Sequence, residues 1–198
     1  MSEEEIIRGC LHHERASQRA LYEIYLPKMM HLCIRYAKNQ EHAKEILLDG
    51  FKNIFNNFSH FQEENAKRKK DSPPITLEEW IKKEMLASAI RHMHATKREY
   101  FISSTVSIRD SESLQGSTAE ISDEQIMSSV DKQFVVTALQ QLSPAYRTVY
   151  NLHEVEGFSH AEISKLLDIS EYSSKDNLSK AKFNLRKNLV RMIPAQVI

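Results

Sequence analysis

A chain of 198 residues, 41% hydrophobic and 27% charged, has room for one medium domain or two small ones and the balance of a globular protein. Its 27 basic and 27 acidic residues cancel, no apolar run approaches the roughly 20 residues of a membrane span, and the start MSEEEIIRGC has no signal-peptide core, so a cytoplasmic protein is expected. Cys10 and Cys33 are the two cysteines, too few for a disulfide scaffold in that compartment.

With 4 Gly, 5 Pro and few β-branched runs, helices are favoured throughout. Residues 14–36 carry Ala20, Leu21, Ile24, Tyr25, Met29, Leu32, Cys33 and Tyr36 at helical spacing, with Pro27 expected to mark a boundary or kink. Residues 42–61 repeat the pattern through Ala43, Ile46, Leu47, Gly50, Phe51, Ile54, Phe55 and Phe58. The stretch QEENAKRKKDSPPIT (Gln62–Thr76) is polar, contains Pro73-Pro74 and reads as a loop. Thr76 followed by Glu79 predicts a capped helix start, with Trp80, Ile81, Met85, Leu86, Ala89, Ile90 and Met93 facing a core.

Ser103–Ser129 is rich in Ser, Asp and Glu and predicts an acidic flexible linker. Helices resume at Asp131, with Phe134, Val135, Ala138 and Leu139 on one face. Ser143-Pro144 then opens a helix over Ala145–Val155. The expected fold class is all-α: two helical domains, residues 1–100 and 131–198, joined by a linker at 101–130.

Zero net charge hides an uneven distribution. Residues 66–98 carry 9 basic and 4 acidic residues, 99–131 carry 1 and 7, and 171–198 carry 6 and 2. Two basic blocks flank an acidic one, a pattern suited to a bipartite polyanion-binding surface.

The sharpest local signal is GFSHAEISKLLDIS followed by EYSSKDNLSKAKFNLRKNL. Ser159 and Glu162 make a capping-box pattern, and Ala161, Ile163, Leu166 and Leu167 supply the buried side of a short helix. Asp168-Ile169-Ser170 makes the turn, with Ile169 tucked in and Ser170 capping the next helix. That second helix has Ser174, Leu178, Ala181, Leu185 and Leu189 on its buried side. Outward it offers Lys175, Asn177, Ser179, Lys180, Lys182 and Arg186, cations for phosphates and amide and hydroxyl groups for base edges in a major groove. The spacing also suits an ordinary helical hairpin with a solvated basic face.

The stretch ALQQLSPAYRTVYNLHEVEGFSHAEISKLLDISEYSSKDNLSKAKFNLRKNL (Ala138–Leu189) resembles region 4 of bacterial RNA polymerase sigma factors of the sigma-70 family. RALYEIYLPKMMHLCIRYAKNQEHAKEILLDGFKNIFNNF (Arg19–Phe58) resembles region 2, and LEEWIKKEMLASAIRHMHATKRE (Leu77–Glu99) sits where the family carries its Trp-led promoter-melting helix. The order is that of the short extracytoplasmic-function (ECF) class, and the Ser-Lys-x-x-Leu-Ser-Lys-Ala run is similar to Bacteroidetes members. The resemblance implies a factor that binds core RNA polymerase, through its β′ coiled coil and β flap, and directs initiation at −10 and −35 promoter elements. It implies −35 contacts from Ser173, Ser174, Lys175, Asn177, Ser179, Lys180 and Lys182. It implies −10 contacts from Phe61, Lys67, Arg68, Lys82, Lys83, Arg91 and His94, and polymerase contacts from Glu45, Leu48, Asp49, Lys52 and Asn53. An anti-sigma factor is a further implied partner; direct membrane contact is not expected.

The departures are specific. Leu48 replaces a usual Gln, Ala87 a common Asn, Arg91 a usual acid and Tyr172 a common Gly, while Asp176 puts an acid in the recognition helix. They keep open a helix-turn-helix regulator or degenerate sigma-like adaptor that binds protein or duplex DNA without opening promoters. A metal or redox sensor built from His31-x-Cys33, His92-x-His94 or His12-His13 is a remote third reading, since these pairs lie on separate helices and no CxxC or HExxH occurs. No metal or other cofactor is expected. No Gly-rich phosphate loop, nucleophile elbow or carboxylate pair points to an enzyme.

Overall fold

The computed structural model describes residues 1–68, 72–95 and 131–192. The expected linker, the boundary at residue 100 and the basic residues Lys69 and Lys70 lie outside them. Contacts group the chain as two units, Met1–Arg91 and His92–Ile198. The described residues form helices and turns, without strands, in agreement with the all-α expectation.

Helix α1 (Glu3–Leu11) opens on a reciprocal cap. The Glu5 N–H donates to Ser2 Oγ at 3.2 Å and the Ser2 N–H to Glu5 Oε2 at 2.8 Å, satisfying two of the donors a helix start leaves open. The chain then turns at His13, in the left-handed region at φ 56°, into α2 (Arg15–Tyr36). Pro27 lies inside α2 rather than at a boundary. It occupies an exposed position, where the carbonyl that loses its amide partner can turn to water. The buried stripe Leu21, Tyr25, Met29, Leu32, Cys33 and Tyr36 runs unbroken past it.

Asn39 caps α3 (Gln40–Asn56), its Oδ1 accepting from the His42 N–H at 2.9 Å. The helix expected to reach Phe61 ends at Asn56. Phe58 turns into the core, 2% exposed, and a separate α4 (Ser59–Lys67) follows. The expected loop Gln62–Thr76 is therefore helical through Lys67. Asn65 ties the end of α4 to the start of the next element, donating to the Ile75 carbonyl at 3.2 Å and accepting from its N–H at 2.7 Å. Thr76 and Glu79 cap α5 (Leu77–Ala95) as their spacing predicts, the Thr76 N–H donating to Glu79 Oε2 at 2.9 Å and the Glu79 N–H to Thr76 Oγ1 at 3.2 Å.

Aromatic rings hold this unit together. Trp80 is fully buried, with Phe58 edge-on at 5.4 Å and Phe61 at 5.6 Å between ring centroids. Tyr22 and Phe51 join α2 to α3 edge-to-face at 4.7 Å. Gly50 lets α3 and α5 close up: a β-carbon there would run into the Met85 thioether, 2.7 Å from its methyl carbon. The Lys28–Glu78 ion pair at 2.7 Å joins α2 to α5 at the surface, where such pairs add little.

Cys10 and Cys33 are both fully buried, and burial pushes their thiols up to about 11 and about 12. Thiolate is the reactive form. Both cysteines should resist an aromatic disulfide reagent at pH 8 in the folded chain and react within the mixing time in 6 M guanidinium. Fast titration of either thiol in native buffer would contradict the buried placement.

In the second unit Ser143 caps α7 (Pro144–Tyr150) after α6 (Lys132–Gln140), accepting from the Tyr146 N–H at 3.4 Å. The helix expected over Ala145–Val155 changes character at Asn151, where a π-helical turn (Asn151–Val155) carries the chain out. Then come α8 (His160–Leu167) and the long α9 (Glu171–Met192). Ala138, Leu139, Leu142, Ala181, Leu185 and Leu189 form a core between α6 and the second half of α9. Phe134 leaves its expected core face and stands 43% exposed. Arg147 is 1% exposed, and its Nη1 donates to the carbonyls of Gln140 at 2.9 Å and Leu142 at 3.3 Å. A buried cation thus fills the C-terminal end of α6, where carbonyls and the helix dipole favour positive charge.

Candidate nucleic-acid interface

The interface is built around two helix starts and the turn between them. Gly157, at φ 80°, releases the chain from the π-helical turn, and the Phe158 N–H donates to the Leu152 carbonyl at 2.9 Å. Ser159 then caps α8 reciprocally with Glu162, whose N–H donates to Ser159 Oγ at 3.3 Å while Oε2 accepts from the Ser159 N–H at 2.8 Å. The Ser159 hydroxyl, donating to Glu162 Oε2 at 2.7 Å, and then the Ser159 N–H hold the Glu162 carboxyl below the usual carboxylate range.

Ile163 and Leu167 are the buried residues of α8. Ala161 and Leu166, expected beside them, face outward, Leu166 at 39% exposure. A helix of eight residues buries a narrow stripe, and those two positions fall outside it. Asp168 ends α8 in the left-handed conformation (φ 53°, ψ 53°), one of the few non-glycine residues that tolerate it. Ile169 is half-buried, and its N–H donates to the Ser164 carbonyl at 3.1 Å. Ser170 caps α9, accepting from the Ser173 N–H at 3.0 Å.

The buried series of α9 is Ser174, Leu178, Ala181, Leu185 and Leu189, as the spacing predicts. Ser174 is fully buried, and its Oγ lies 2.9 Å from His160 Nδ1. Its place among the expected DNA contacts is corrected accordingly: the hydroxyl locks α8 to α9 and is not offered to a ligand. His160 stacks on His153 at 4.4 Å between centroids, 17° between planes. Burial first, then His153 and Lys175, lower the His160 pKa, so the ring stays neutral at neutral pH and keeps its bond to Ser174. The Phe158 carbonyl accepts from His153 Nδ1 at 2.8 Å. Lys182 reaches Glu154 Oε1 at 2.9 Å, joining α9 to the π-helical turn.

Outward from this frame stand the exposed Lys175, Ser179, Lys180 and Lys182 and the half-buried Ser173 and Asn177. Asp176 joins them, its Oδ2 2.8 Å from Lys180 Nζ. That bond, with the carboxylate charge, raises the Lys180 pKa. Two helices at a short turn, the second presenting amide, hydroxyl and ammonium groups on its free side, form a helix-turn-helix suited to a major groove.

The family model for sigma-70, region 4 matches residues 135–184, from α6 to the middle of α9. That segment is similar to a sigma-70 region 4. Among curated proteins there is no match. Among solved structures the chain is similar to the sigma factor RpoE, in its co-crystal structure with the anti-sigma factor NepR from Bartonella quintana, at 17% identity. That likeness has a TM-score of 0.47 and covers 89% of this chain and 98% of that one.

Region 4 thus gathers six of its seven expected contact residues on accessible positions, Ser174 being the exception. The residues expected to meet polymerase outside region 4 also share a face. Glu45, Leu48, Asp49 and Lys52 are exposed and Asn53 half-buried on α3, opposite the buried Ala43, Ile46, Leu47, Gly50, Phe51 and Ile54. Leu48 is 61% exposed there.

The expected −10 set is dispersed. Phe61 lies in the aromatic core, 8% exposed, so its ring is held by Phe58 and Trp80 and is withdrawn from the expected base contact. Lys67 stands 3.7 Å from Glu63, Arg68 donates to the Pro73 carbonyl at 2.6 Å, and Lys83 is 2.8 Å from Glu64. Lys82 and Arg91 are exposed but fall about half a turn apart around α5, and His94 is half-buried in its last turn. What sequence reasoning missed in region 4 is the frame itself: Arg147, the His153–His160 stack and the left-handed Asp168. The signals present were a lone Arg in an apolar stretch and an Asp where a helix must stop.

Proposed function

We propose that the chain is an ECF-type sigma factor: it binds core RNA polymerase and directs initiation at promoters carrying −10 and −35 elements. The region 4 match, with its basic and polar free face on α9, is the observation that carries this reading. The α3 face around Leu48 would dock on the polymerase β′ coiled coil, and α5 with the segment before it would meet the opened −10 strand. Region 4 would bind the −35 duplex and lie against the β flap. Catalysis belongs to the polymerase, and the chain acts in the cytoplasm. No helix among the described residues is long and apolar enough to cross a membrane. An anti-sigma factor is the regulator this reading implies.

One observation favours a second reading. With Phe61 in the core and Arg68 and Lys83 engaged within the chain, a sigma-like adaptor that binds polymerase without opening DNA fits the first unit as well. In vitro transcription with core polymerase and a library of promoter fragments separates the two. Discrete run-off products are expected of the sigma factor, and stable core binding without products belongs to the adaptor. Leu48→Glu should weaken core binding at least about tenfold, as expected for an acid replacing an exposed apolar anchor. Unchanged core binding would remove α3 from the docking surface.

A further inference from the structure

Asp176 sits where an acid is least expected in a helix that approaches phosphates. The buried Ser174, Leu178 and Ala181 fix which side of α9 faces inward. At about 100° per residue, Asp176 then falls nearly opposite Ser174, in the middle of the free side. Tyr172, one turn earlier on the same stripe, is 80% exposed. Asp176 is therefore among the first groups of α9 to reach the floor of a groove that the helix enters.

Its charge is already answered from within the helix. Lys180, one turn on, places Nζ 2.8 Å from Oδ2, and both side chains remain close to half exposed. The pair is neutral as a unit, which removes the repulsion an isolated carboxylate would feel between two phosphate rows. It also holds the carboxylate in one orientation. An ionised carboxylate has about four acceptor sites and no donor. Lys180 takes one, so acceptor capacity remains on a group that points away from the core.

The major groove offers few partners to a pure acceptor. Guanine presents N7 and O6 and thymine O4, all acceptors, and adenine sets its N7 acceptor beside its amine. Cytosine alone presents an amine, N4, with no acceptor beside it on its own edge. Building on the −35 reading above, we infer that Asp176 is a specificity-determining residue that accepts from the N4 amine of one cytosine in the −35 duplex, with Lys180 as the group that orients it.

The carboxamide makes the test sharp, because it carries a donor as well as an acceptor and pairs with adenine N6 and N7. Full-length protein, free and bound to core polymerase, would be used to select duplexes randomised across the −35 segment. Wild type should prefer cytosine at one position by about tenfold. Asp176→Asn should move that position toward adenine and leave the others as they were, with an unchanged thermal midpoint. Asp176→Ala should lose the preference there. If Asp176→Ala instead raises affinity for every duplex and keeps the same base ranking, the carboxylate acts through charge alone and the inference is overturned. A wild-type profile with no cytosine preference overturns it as well. Failure of wild type to select any duplex would remove the −35 reading itself, and the base-reading role with it.

Discussion

Arg147→Ala is expected to destabilise region 4 by about 3 kcal/mol, roughly a hundredfold in its folded-to-unfolded ratio. The guanidinium is buried and serves two carbonyls, those of Gln140 and Leu142, at the end of α6. Truncation leaves those acceptors without this donor and opens a cavity where a large side chain stood, two costs that add. The readout is built into the chain, because its single tryptophan, Trp80, lies in the first unit. In urea, tryptophan fluorescence should keep its wild-type midpoint while the far-ultraviolet helical signal gains an earlier phase. A loss of less than about 0.5 kcal/mol would show that water or the backbone replaces the guanidinium without strain. Duplex binding should fall with stability in this variant, while core binding through α3 should persist.

Replacing both Lys175 and Lys180 with Ala should lower affinity for the −35 duplex about a hundredfold at low salt and abolish −35-dependent initiation, with core binding intact. A lysine that neutralises a phosphate contributes close to one unit to the slope of log affinity against log salt, so losing Lys175 should flatten it by about one, whereas Lys180, whose charge Asp176 already answers, acts mainly through the carboxylate it leaves behind. The two losses should be unequal. Lys175→Ala removes one cation, whereas Lys180→Ala also strips Asp176 of the ammonium 2.8 Å away and leaves a bare carboxylate facing DNA. Adding Asp176→Asn to Lys180→Ala should therefore recover part of the affinity, and a double-mutant cycle measures that coupling. Unchanged transcription from −35-dependent promoters in the double lysine variant would sink the assignment of α9 as the recognition helix.

What was legible in the sequence follows from how local the physics is. The starts of α5, α7, α8 and α9 could be placed from Thr76, Ser143, Ser159 and Ser170, because a cap is settled within four residues. The buried face of α9 was equally plain, since five apolar or small residues recur every three or four positions. α4 was hidden because it buries one side chain, Phe61, and its remaining polar residues read as loop. Pro27 suggested a break that α2 does not make, because its cost depends on whether that position meets water, which spacing alone does not reveal. For the site, the outward residues of α9 followed from the inward ones. Phe61 as a base platform and a shared −10 surface did not, because each turns on how α4 packs against α5, and Ser174 as a contact runs against the buried face that the spacing itself assigns it. The sigma-like pattern in residues 138–189 found its counterpart in the matched 135–184.

Gly50 ties two positions into one evolutionary choice. Residues 50 and 85 share a volume that holds one side chain, and the Met85 thioether occupies it. A lineage that gains a β-carbon on α3 at that point must shorten residue 85 on α5 or part the two helices, and one that shortens residue 85 first leaves a void. Neither step is neutral alone, so drift at one site waits on the other. The surface of α3 around Leu48 is free of that restraint, and the face proposed to meet a partner can change residue by residue while the packing beneath it stays fixed.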